Sequence, residues 1–257
     1  MTSTDSSERR FGGVARLFGE LAQQRLAAAH VVVVGIGGVG SWAVEALARS
    51  GVGNLTLIDM DHISESNINR QIHALESTLG GSKVAVMAQR IADIAPRCQV
   101  LVIDDFVTET NVASLLNHGA DCVIDAIDQV RAKAAMIAHC QAQQRRIIVC
   151  GAAGGRTKPL ALQQDDLALT KGDALLAAVR SRLRRDYGFT RQPGSTFGID
   201  AIFADSPRAG VAPRSDGGGA ALACSGYGSL VSVTATMGLV AAQAAIDSVL
   251  RNNPKVS

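Results

Sequence analysis

Residues 31–40, Val-Val-Val-Val-Gly-Ile-Gly-Gly-Val-Gly, decide the fold. Four consecutive β-branched residues indicate a strand that is buried on both faces, as in a parallel sheet. Gly35, Gly37 and Gly40 follow in the spacing G-x-G-x-x-G, and a helical segment begins at Ser41. This order predicts a glycine turn whose backbone N–H groups bind phosphate at a helix N-terminus. The glycines alone do not distinguish NAD, FAD, S-adenosylmethionine and ATP.

Strands and helices alternate outward from this loop. Apolar runs predict strands at 31–34, 55–58, 100–103, 122–124 and 147–150. Helices are predicted around and between them, at 14–29, 41–50, 83–95, 111–117 and 131–144. This alternation is typical of a doubly wound, Rossmann-like α/β fold with a mostly parallel sheet. We expect the first ten residues to form a disordered tail.

The alternation stops near residue 151. We therefore expect a nucleotide-binding half at 1–151 and a substrate-facing C-terminal extension at 152–257 that packs on the same domain. The extension is predicted to contain a strand, a helix and a long loop, at 160–162, 173–185 and 205–219. No residue from Gly217 to Ile246 is charged. We predict a buried core helix in this segment, with a membrane-spanning helix as the alternative.

The composition excludes several classes of protein. Hydrophobic residues make up 47% and charged residues 19% of the 257 residues, so the chain can bury a core and is not disordered. A net charge of +2 argues against a uniformly basic nucleic-acid-binding surface, and an aromatic content of 4% argues against base-stacking platforms. The N-terminal residues lack the apolar segment of a secretory signal, so we expect a cytoplasmic location.

The five cysteines contain no C-x-x-C pair. We expect them to be small buried residues in a reducing compartment, and we expect no structural zinc site. Cys224 lies in a glycine- and serine-rich stretch and is the only candidate for a reactive thiol, with a passive thiol as the alternative.

Polar side chains follow the second strand. Asp59 ends that strand about 20 residues after the glycine loop, where a carboxylate binds ribose hydroxyls in dinucleotide folds, and Asp61 follows. Asn67, Arg70 and Lys83 come next along the chain. A triphosphate requires more cations than a dinucleotide pyrophosphate, because its α-phosphate must be made electrophilic. The ordered set favours ATP over NAD, although single cations are usually solvated surface charges.

Two carboxylates, Asp125 and Asp128, end the fourth strand. Mg²⁺ binds one or two carboxylates together with phosphate oxygens, so we predict a metal ligand here. A helix N-cap is the alternative role for Asp128.

The combined pattern resembles the ubiquitin-activating-enzyme-like superfamily, whose bacterial members include ThiF, MoeB and HesA. It comprises G-x-G-G-x-G, D-x-D, S-N-x-x-R-Q at 66–71, a lysine, and an aspartate after the fourth strand, and it covers about residues 10–151. Gln129 departs from the asparagine that is usual at this place. The resemblance implies that the protein adenylates a carboxylate with Mg·ATP.

The resemblance also implies roles for individual residues. Gly38 and its neighbours would face the phosphates, and Asp59 would hold the ribose. The implied ATP-binding set is Gly35, Gly37, Gly38, Gly40, Asp59, Asp61, Asn67, Arg70, Lys83 and Asp128. The implied metal ligand is Asp128, and the implied catalytic residues are Arg70, Lys83, Asp128 and Arg16.

Within the superfamily, residues 10–19, 175–185 and 203–206 resemble the branch of tRNA threonylcarbamoyladenosine dehydratases. The branch implies adenylation of the threonyl carboxylate of a modified adenosine next to the anticodon, followed by ring closure. It also implies a homodimer in which an arginine, either Arg10 or Arg16, reaches the partner's ATP site. Binding of the sulfur-acceptor protein of a cysteine desulfurase and of a monovalent cation remains open.

A tRNA partner requires cations, and residues 171–191 carry six of them against two aspartates. We predict that Arg180, Arg182, Arg184 and Arg185 follow tRNA phosphates, with a solvated helix face as the alternative. Two further enzyme activities remain open: adenylation of the C-terminus of a ubiquitin-like sulfur carrier, and NAD-dependent oxidoreduction.

Overall fold

The computed structural model describes residues 3–117, 119–207, 209 and 227–251. The strands are β1 (His30–Val34), β2 (Asn54–Ile58), β3 (Gln99–Ile103), β4 (Cys122–Asp125), β5 (Arg146–Cys150), β6 (Leu162–Asp166) and β7 (Asp200–Ala204). The helices are α1 (Ser3–Phe18), α2 (Glu20–Ala28), α3 (Gly40–Arg49), α4 (Lys83–Ile94), α5 (Val112–Leu116), α6 (Val130–Ala142), α7 (Ala174–Asp186) and α8 (Val231–Arg251).

The seven strands form one sheet in the order β3-β2-β1-β4-β5-β7-β6. Every neighbouring pair is parallel except β6 and β7, which are antiparallel. The predicted doubly wound α/β fold with a mostly parallel sheet is therefore confirmed. The direction in which the chain adds strands reverses between β1 and β4, and ligands bind at such a switch point, outside the carboxyl ends of the strands.

Helices cover both faces of the sheet, which explains the uninterrupted valines of β1. Val31 and Val33 pack with α3, α4 and α8, whereas Val32 and Val34 pack with α5, α6 and α7. All four valines are at most 1% exposed. Because both faces are buried, an alternating polar pattern would have placed polar groups in one of the two cores.

The N-terminal predictions were wrong in two respects. Helix α1 begins at Ser3, where we expected a disordered tail. Its later part is fixed on the domain, because Arg10 donates to the backbone carbonyls of Asp93 and Ile94. The single helix predicted at 14–29 is two helices, because Gly19 adopts a φ of 89° that breaks the helical path.

The extension also differs in part from its prediction. Residues Pro159–Ala161 form a 3-10 turn, and the strand that follows is β6 rather than a strand at 160–162. Strand β7 was not predicted, although its residues are almost fully buried. Most of the loop predicted at 205–219, and Cys224, lie outside the described residues.

Helix α8 packs on α3 and on strands β4 and β5, which confirms the predicted core helix. By length and composition it is also the one helix of the described ranges that could span a membrane, with a mean hydropathy of 1.4 and 56% of its most apolar window buried. The approach to α3 is close at Gly238. A Cβ there would overlap the Val39 carbonyl oxygen and lie 2.9 Å from the Trp42 Cβ.

Replacing Gly238 with alanine is therefore expected to destabilise the protein by about 3 kcal/mol, because two helix backbones must separate. Urea unfolding measures the change. Ser232→Ala, at an exposed position of the same helix, is the control and should change stability by less than about 0.5 kcal/mol. Equal midpoints for the Gly238 variant and the wild type would show that α8 does not pack on α3 this closely.

Candidate functional site

A cleft opens at the carboxyl ends of β1, β2, β4 and β5, at the switch point of the sheet. Its lining includes eight of the predicted site residues: Gly35, Gly37, Gly38, Asp59, Asp61, Arg70, Lys83 and Asp128. Gly40 and Asn67 are not part of the lining. Residues that are far apart in sequence thus meet at one edge, as the prediction required.

The glycines have different roles in the loop. Gly35 has a φ of 87°, and a Cβ there would lie 2.8 Å from Cγ2 of Ile127. A Cβ at Gly40 would overlap the Gly35 carbonyl oxygen. These two glycines are therefore required by the turn itself. Gly37 and Gly38 face the cleft, where their small size leaves room for a phosphate.

Asp59 connects the glycine loop to strand β2. Its Oδ2 accepts from the Ile36 N–H at 2.6 Å, and its Oδ1 accepts from the Asp61 N–H at 2.8 Å. Burial raises the pKa of this carboxyl, while the two hydrogen bonds and the nearby Lys83 oppose the rise. Asp59 lines the cleft where a ribose would lie, and its binding of ribose hydroxyls stays a prediction.

Lys83 is held in place by Asp61. The Lys83 Nζ lies 2.6 Å from the Asp61 Oδ2, and the Lys83 N–H donates to the Asp61 carbonyl. The lysine side chain is 7% exposed, whereas the aspartate side chain is 53% exposed. Because the carboxylate can turn into solvent, an entering phosphate can replace it as the partner of the buried ammonium.

Arg70 packs on the glycine loop. Its Cγ lies 3.1 Å from where a Cβ of Gly38 would be, so Gly38 leaves space for the arginine stem. The guanidinium donates to the Ser66 carbonyl at 2.6 Å and to the Asn69 Oδ1 at 2.9 Å. Among the described residues no carboxylate pairs with it. Arg70 therefore presents an uncompensated positive charge to the cleft.

Asn67 has a local structural role. Its Oδ1 accepts from the Ser64 N–H at 3.1 Å, which closes the turn Glu65–Asn67, and the residue is 8% exposed. The predicted contact of Asn67 with phosphate stays a prediction.

Asp128 lies at the lip of the cleft, just before α6. The N-cap of α6 is Gln129, so the alternative role of Asp128 as N-cap was wrong. The Asp128 carboxylate makes no hydrogen bond or ion pair with the described residues. A single available carboxylate beside a phosphate site fits Mg²⁺, which completes its shell with phosphate oxygens and water. The described residues contain no cluster of three or more potential metal ligands.

Sequence reasoning missed several residues of the cleft. Gln71 lines it, is 5% exposed, and its Oε1 has no partner among the described residues. The residue was part of the quoted 66–71 motif but was assigned no role. Phe106 and Val107 form an apolar wall after β3, and Thr234 belongs to α8. No pattern in the sequence marked these three positions.

The two N-terminal arginines are in different environments. Arg10 is bound to carbonyls of α4, as described above, whereas Arg16 is exposed beside its own helix. Neither lines the cleft of its own chain. Arg16 is therefore the less engaged of the two arginines, and contact of either one with a partner subunit stays a prediction.

The basic residues of α7 are largely engaged within the chain. Arg180 donates to the Thr170 hydroxyl, and burial lowers its pKa. The guanidinium of Arg182 bridges Glu109 and Asp186. None of the four predicted tRNA-binding arginines lines the cleft. Their phosphate contacts stay a prediction.

The other two arginines of this set differ from each other: Arg184 packs on an aromatic ring, and Arg185 is exposed. Arg184 lies 5.3 Å from the centre of the Phe197 ring. Arg185 pairs with Asp186 and has a side chain that is 62% exposed. An exposed ion pair of this kind contributes little to stability, so Arg185 can exchange its partner for a phosphate.

The chain is similar to known proteins over nearly its whole length. Residues 12–257 match the model of the ThiF family. The chain belongs to the ThiF family. It is 47% identical to the tRNA threonylcarbamoyladenosine dehydratase of Haemophilus influenzae over 255 residues, which cover 98% of this chain and 97% of the relative. It is 34% identical to the molybdopterin-synthase adenylyltransferase of Escherichia coli over 118 residues, which cover 46% of this chain and 47% of that relative.

Two solved structures are similar to this chain over nearly its full length. The tRNA N6-threonylcarbamoyladenosine dehydratase of Escherichia coli in complex with ATP matches with a TM-score of 0.88 and 45% identity, over 97% of each chain. The same enzyme in complex with AMP matches with a TM-score of 0.88 and 46% identity, also over 97% of each chain. These two complexes support ATP binding by this chain.

A buried histidine follows the 66–71 motif in the chain. His73 is 1% exposed, and neither ring nitrogen has a partner among the described residues. Burial lowers its pKa to about 4, and the charges of Lys83 and Arg90 add to the effect. The ring is therefore neutral in the folded protein at neutral pH. Protonation in the unfolded chain begins at a higher pH, near 6.5.

We expect the free energy of unfolding to fall as the pH is lowered from about 6.5 to 4, because the unfolded chain takes up a proton that the folded chain excludes. The contribution of His73 is at most about 3 kcal/mol. Urea unfolding at several pH values, compared between the wild type and His73→Leu, measures the contribution of His73 to the pH dependence of stability. Parallel pH profiles for the two proteins would contradict the assignment.

Proposed function

We propose that this protein catalyses the ATP-dependent, cyclising dehydration of N6-threonylcarbamoyladenosine next to the anticodon of tRNA. One observation carries the proposal. The cleft places the uncompensated Arg70, the buried Lys83 and the available Asp128 around a glycine loop. Relatives that match this chain over nearly its full length are dehydratases of this kind.

The first step activates the acid. An oxygen of the threonyl carboxylate attacks the α-phosphorus of ATP, a new P–O bond forms, and the bond to pyrophosphate breaks. Negative charge increases on the phosphoryl oxygens and on the leaving group. Arg70 and Lys83 are already fixed beside the glycine loop, so they stabilise this charge without reorganisation. Lys83 exchanges Asp61 for a phosphate oxygen earlier, when ATP binds.

Magnesium is part of the proposal, with Asp128 as its protein ligand. When bound, the ion neutralises charge on the phosphates and makes pyrophosphate a better leaving group. Asp128 would therefore act through its position at the lip of the cleft, beside Gln129.

The second step closes the ring. The carbamoyl group of the same side arm attacks the acyl carbon of the adenylate and loses a proton to solvent. The bond between the acyl carbon and the bridging oxygen breaks, and AMP leaves with that former carboxylate oxygen. The attacking group is tethered to its target, so proximity supplies much of the acceleration. No enzyme nucleophile is required. The four described cysteines do not line the cleft, and burial raises the pKa of each, for Cys98 to about 11.

We also propose that the active form is a homodimer. Arg16 is exposed and is followed by Leu17 and Leu21, which are 75% and 66% exposed. Exposed leucines next to an unengaged arginine fit a face that another copy of the chain covers. A cytoplasmic location remains our proposal and is compatible with the packing of α8 on the sheet.

Mass spectrometry of tRNA nucleosides tests the reaction. After incubation with the protein and ATP, N6-threonylcarbamoyladenosine should lose the mass of one water. Asp128→Ala and Arg70→Ala should each slow this conversion by about 100-fold, because each removes charge stabilisation from the transition state. Lys158→Ala, at an exposed cation outside the cleft, is the control.

Three outcomes would contradict the proposal. Unchanged tRNA in the presence of wild-type protein and ATP would remove the dehydratase activity. Pyrophosphate exchange that a ubiquitin-like sulfur carrier stimulates, and tRNA does not, would favour adenylation of a protein C-terminus. Full activity of the Asp128 and Arg70 variants would separate the reaction from this cleft.

The salt dependence of tRNA affinity tests whether α7 contacts tRNA. Replacing Arg182, Arg184 and Arg185 with alanine should weaken tRNA binding and reduce the slope of log affinity against log salt, by about one for each lost phosphate contact. ATP binding should not change. Arg251→Ala, an exposed arginine at the C-terminal end of α8, is the matched control. An unchanged slope would exclude this face from the tRNA site.

A further inference from the structure

The turn between β4 and α6 forms one wall of the nucleotide cleft. Ala126, Ile127, Asp128 and Gln129 all line it. A turn of this kind is exposed to solvent on one side, and the position of Asp128 depends on how firmly the turn is held on the other side.

Lys133 holds this turn from behind. Its side chain is fully buried, and its Nζ lies 2.8 Å from the Asp125 Oδ1 and 2.8 Å from the Ile127 carbonyl oxygen. The Asp125 carbonyl oxygen lies 3.4 Å away. All three donors of the ammonium are thus directed at residues 125 and 127, immediately before Asp128.

Asp125 completes the arrangement on the strand side. Its side chain is also fully buried, its Oδ1 accepts from the Ile127 N–H at 3.3 Å, and the carboxylate does not line the cleft. The Ala126 N–H donates to the Val34 carbonyl of β1. The turn is therefore bound to the end of its own strand, to the neighbouring strand and to Lys133.

The same turn packs closely against the glycine loop. The closest heavy atoms to a Cβ built at Gly35 belong to Ile127 and Ala126, at 2.8 Å and 3.1 Å. A displacement of the turn would therefore change both the position of Asp128 and the shape of the glycine loop.

Stability alone does not account for a fully buried ion pair. The cost of removing two charges from water often equals or exceeds their attraction, and apolar replacements of similar volume are often as stable. A pair at this position instead fixes geometry, because a lysine with three directed donors holds backbone oxygens that an apolar side chain could not hold.

We propose that Lys133, paired with Asp125, is a positioning residue that fixes the β4–α6 turn so that Asp128 and the glycine loop keep their productive geometry for adenylation. The inference rests on the proposed function. It predicts that loosening the turn lowers kcat much more than it lowers ATP affinity, since Asp59, Arg70 and Lys83 remain in place.

The test compares two variants of the full-length protein. Lys133→Met/Asp125→Asn removes both charges at nearly constant volume, so no buried charge is left without a partner. Met136→Ala, on the same helix and fully buried, loses core packing but keeps the hydrogen bonds of Lys133 and Asp125 to the turn. We measure unfolding midpoints, ATP affinity by calorimetry, steady-state dehydration of tRNA, and hydrogen–deuterium exchange of residues 126–129.

The double variant is expected to fold cooperatively, to bind ATP within about threefold of the wild type, and to lose about 10- to 100-fold in kcat, because a misplacement of about 1 Å is enough for such a loss. Exchange at Ala126 and Ile127 should accelerate at least about tenfold. Met136→Ala should lower the unfolding midpoint but keep kcat and exchange at the turn near wild-type values.

A kcat of the double variant within threefold of the wild type, or unchanged exchange at the turn, would overturn the inference. If the double variant does not fold, hydrogen–deuterium exchange of the turn in the wild-type protein tests the inference. Ala126 and Ile127 should then be as protected as β4, and equal exchange there and at residues 105–107 across the cleft would overturn the inference. Absence of dehydration by wild-type protein would instead overturn the proposed function, and the exchange data would stand independently.

Discussion

The close approach of two strand ends is the constraint on which the rest of the structure depends. Where β1 and β4 lie side by side, the glycine turn and the β4–α6 turn occupy adjoining space, and a Cβ at Gly35 or Gly40 would overlap its neighbours. The first turn of α3 can therefore start close to the sheet. A phosphate site results, because backbone N–H groups at that turn remain available to a ligand.

Charge is arranged around this contact before a nucleotide enters. Asp59 accepts two backbone N–H groups, Asp61 holds Lys83, and backbone and amide oxygens hold Arg70. The cations are therefore fixed by partners that an anionic ligand can replace or join. Preorganisation of this kind supplies transition-state stabilisation because the charges need not move during the reaction.

The sequence was sufficient for the parts of the fold and site that depend on local patterns. The valines of β1, the glycine spacing, and the order of Asp59, Arg70, Lys83 and Asp128 predicted the parallel sheet and most of the cleft. The break at Gly19 and the pairing of β6 with β7 were not predictable, because they depend on a single backbone dihedral angle and on long-range contacts.

Side-chain partners were the least predictable part of the site. The motif does not show that the Asn67 Oδ1 accepts from the Ser64 N–H and closes its own turn. Four arginines on one short segment suggest a basic stripe, yet Arg180 and Arg182 bind residues of the same chain. Phe106 and Thr234 reach the cleft from distant segments without a recognisable spacing. Such contacts are determined by tertiary packing, which a single sequence does not display.

The central claim is that the cleft converts a carboxylate into a mixed anhydride with AMP. Labelling the threonyl carboxylate of the tRNA substrate with heavy oxygen tests this most directly, because AMP must leave with one oxygen of the acid. If the acyl-adenylate forms, each AMP that the wild-type protein releases carries one heavy oxygen atom for each ring that closes. AMP without the label, in a reaction that still forms the cyclic product, would contradict it.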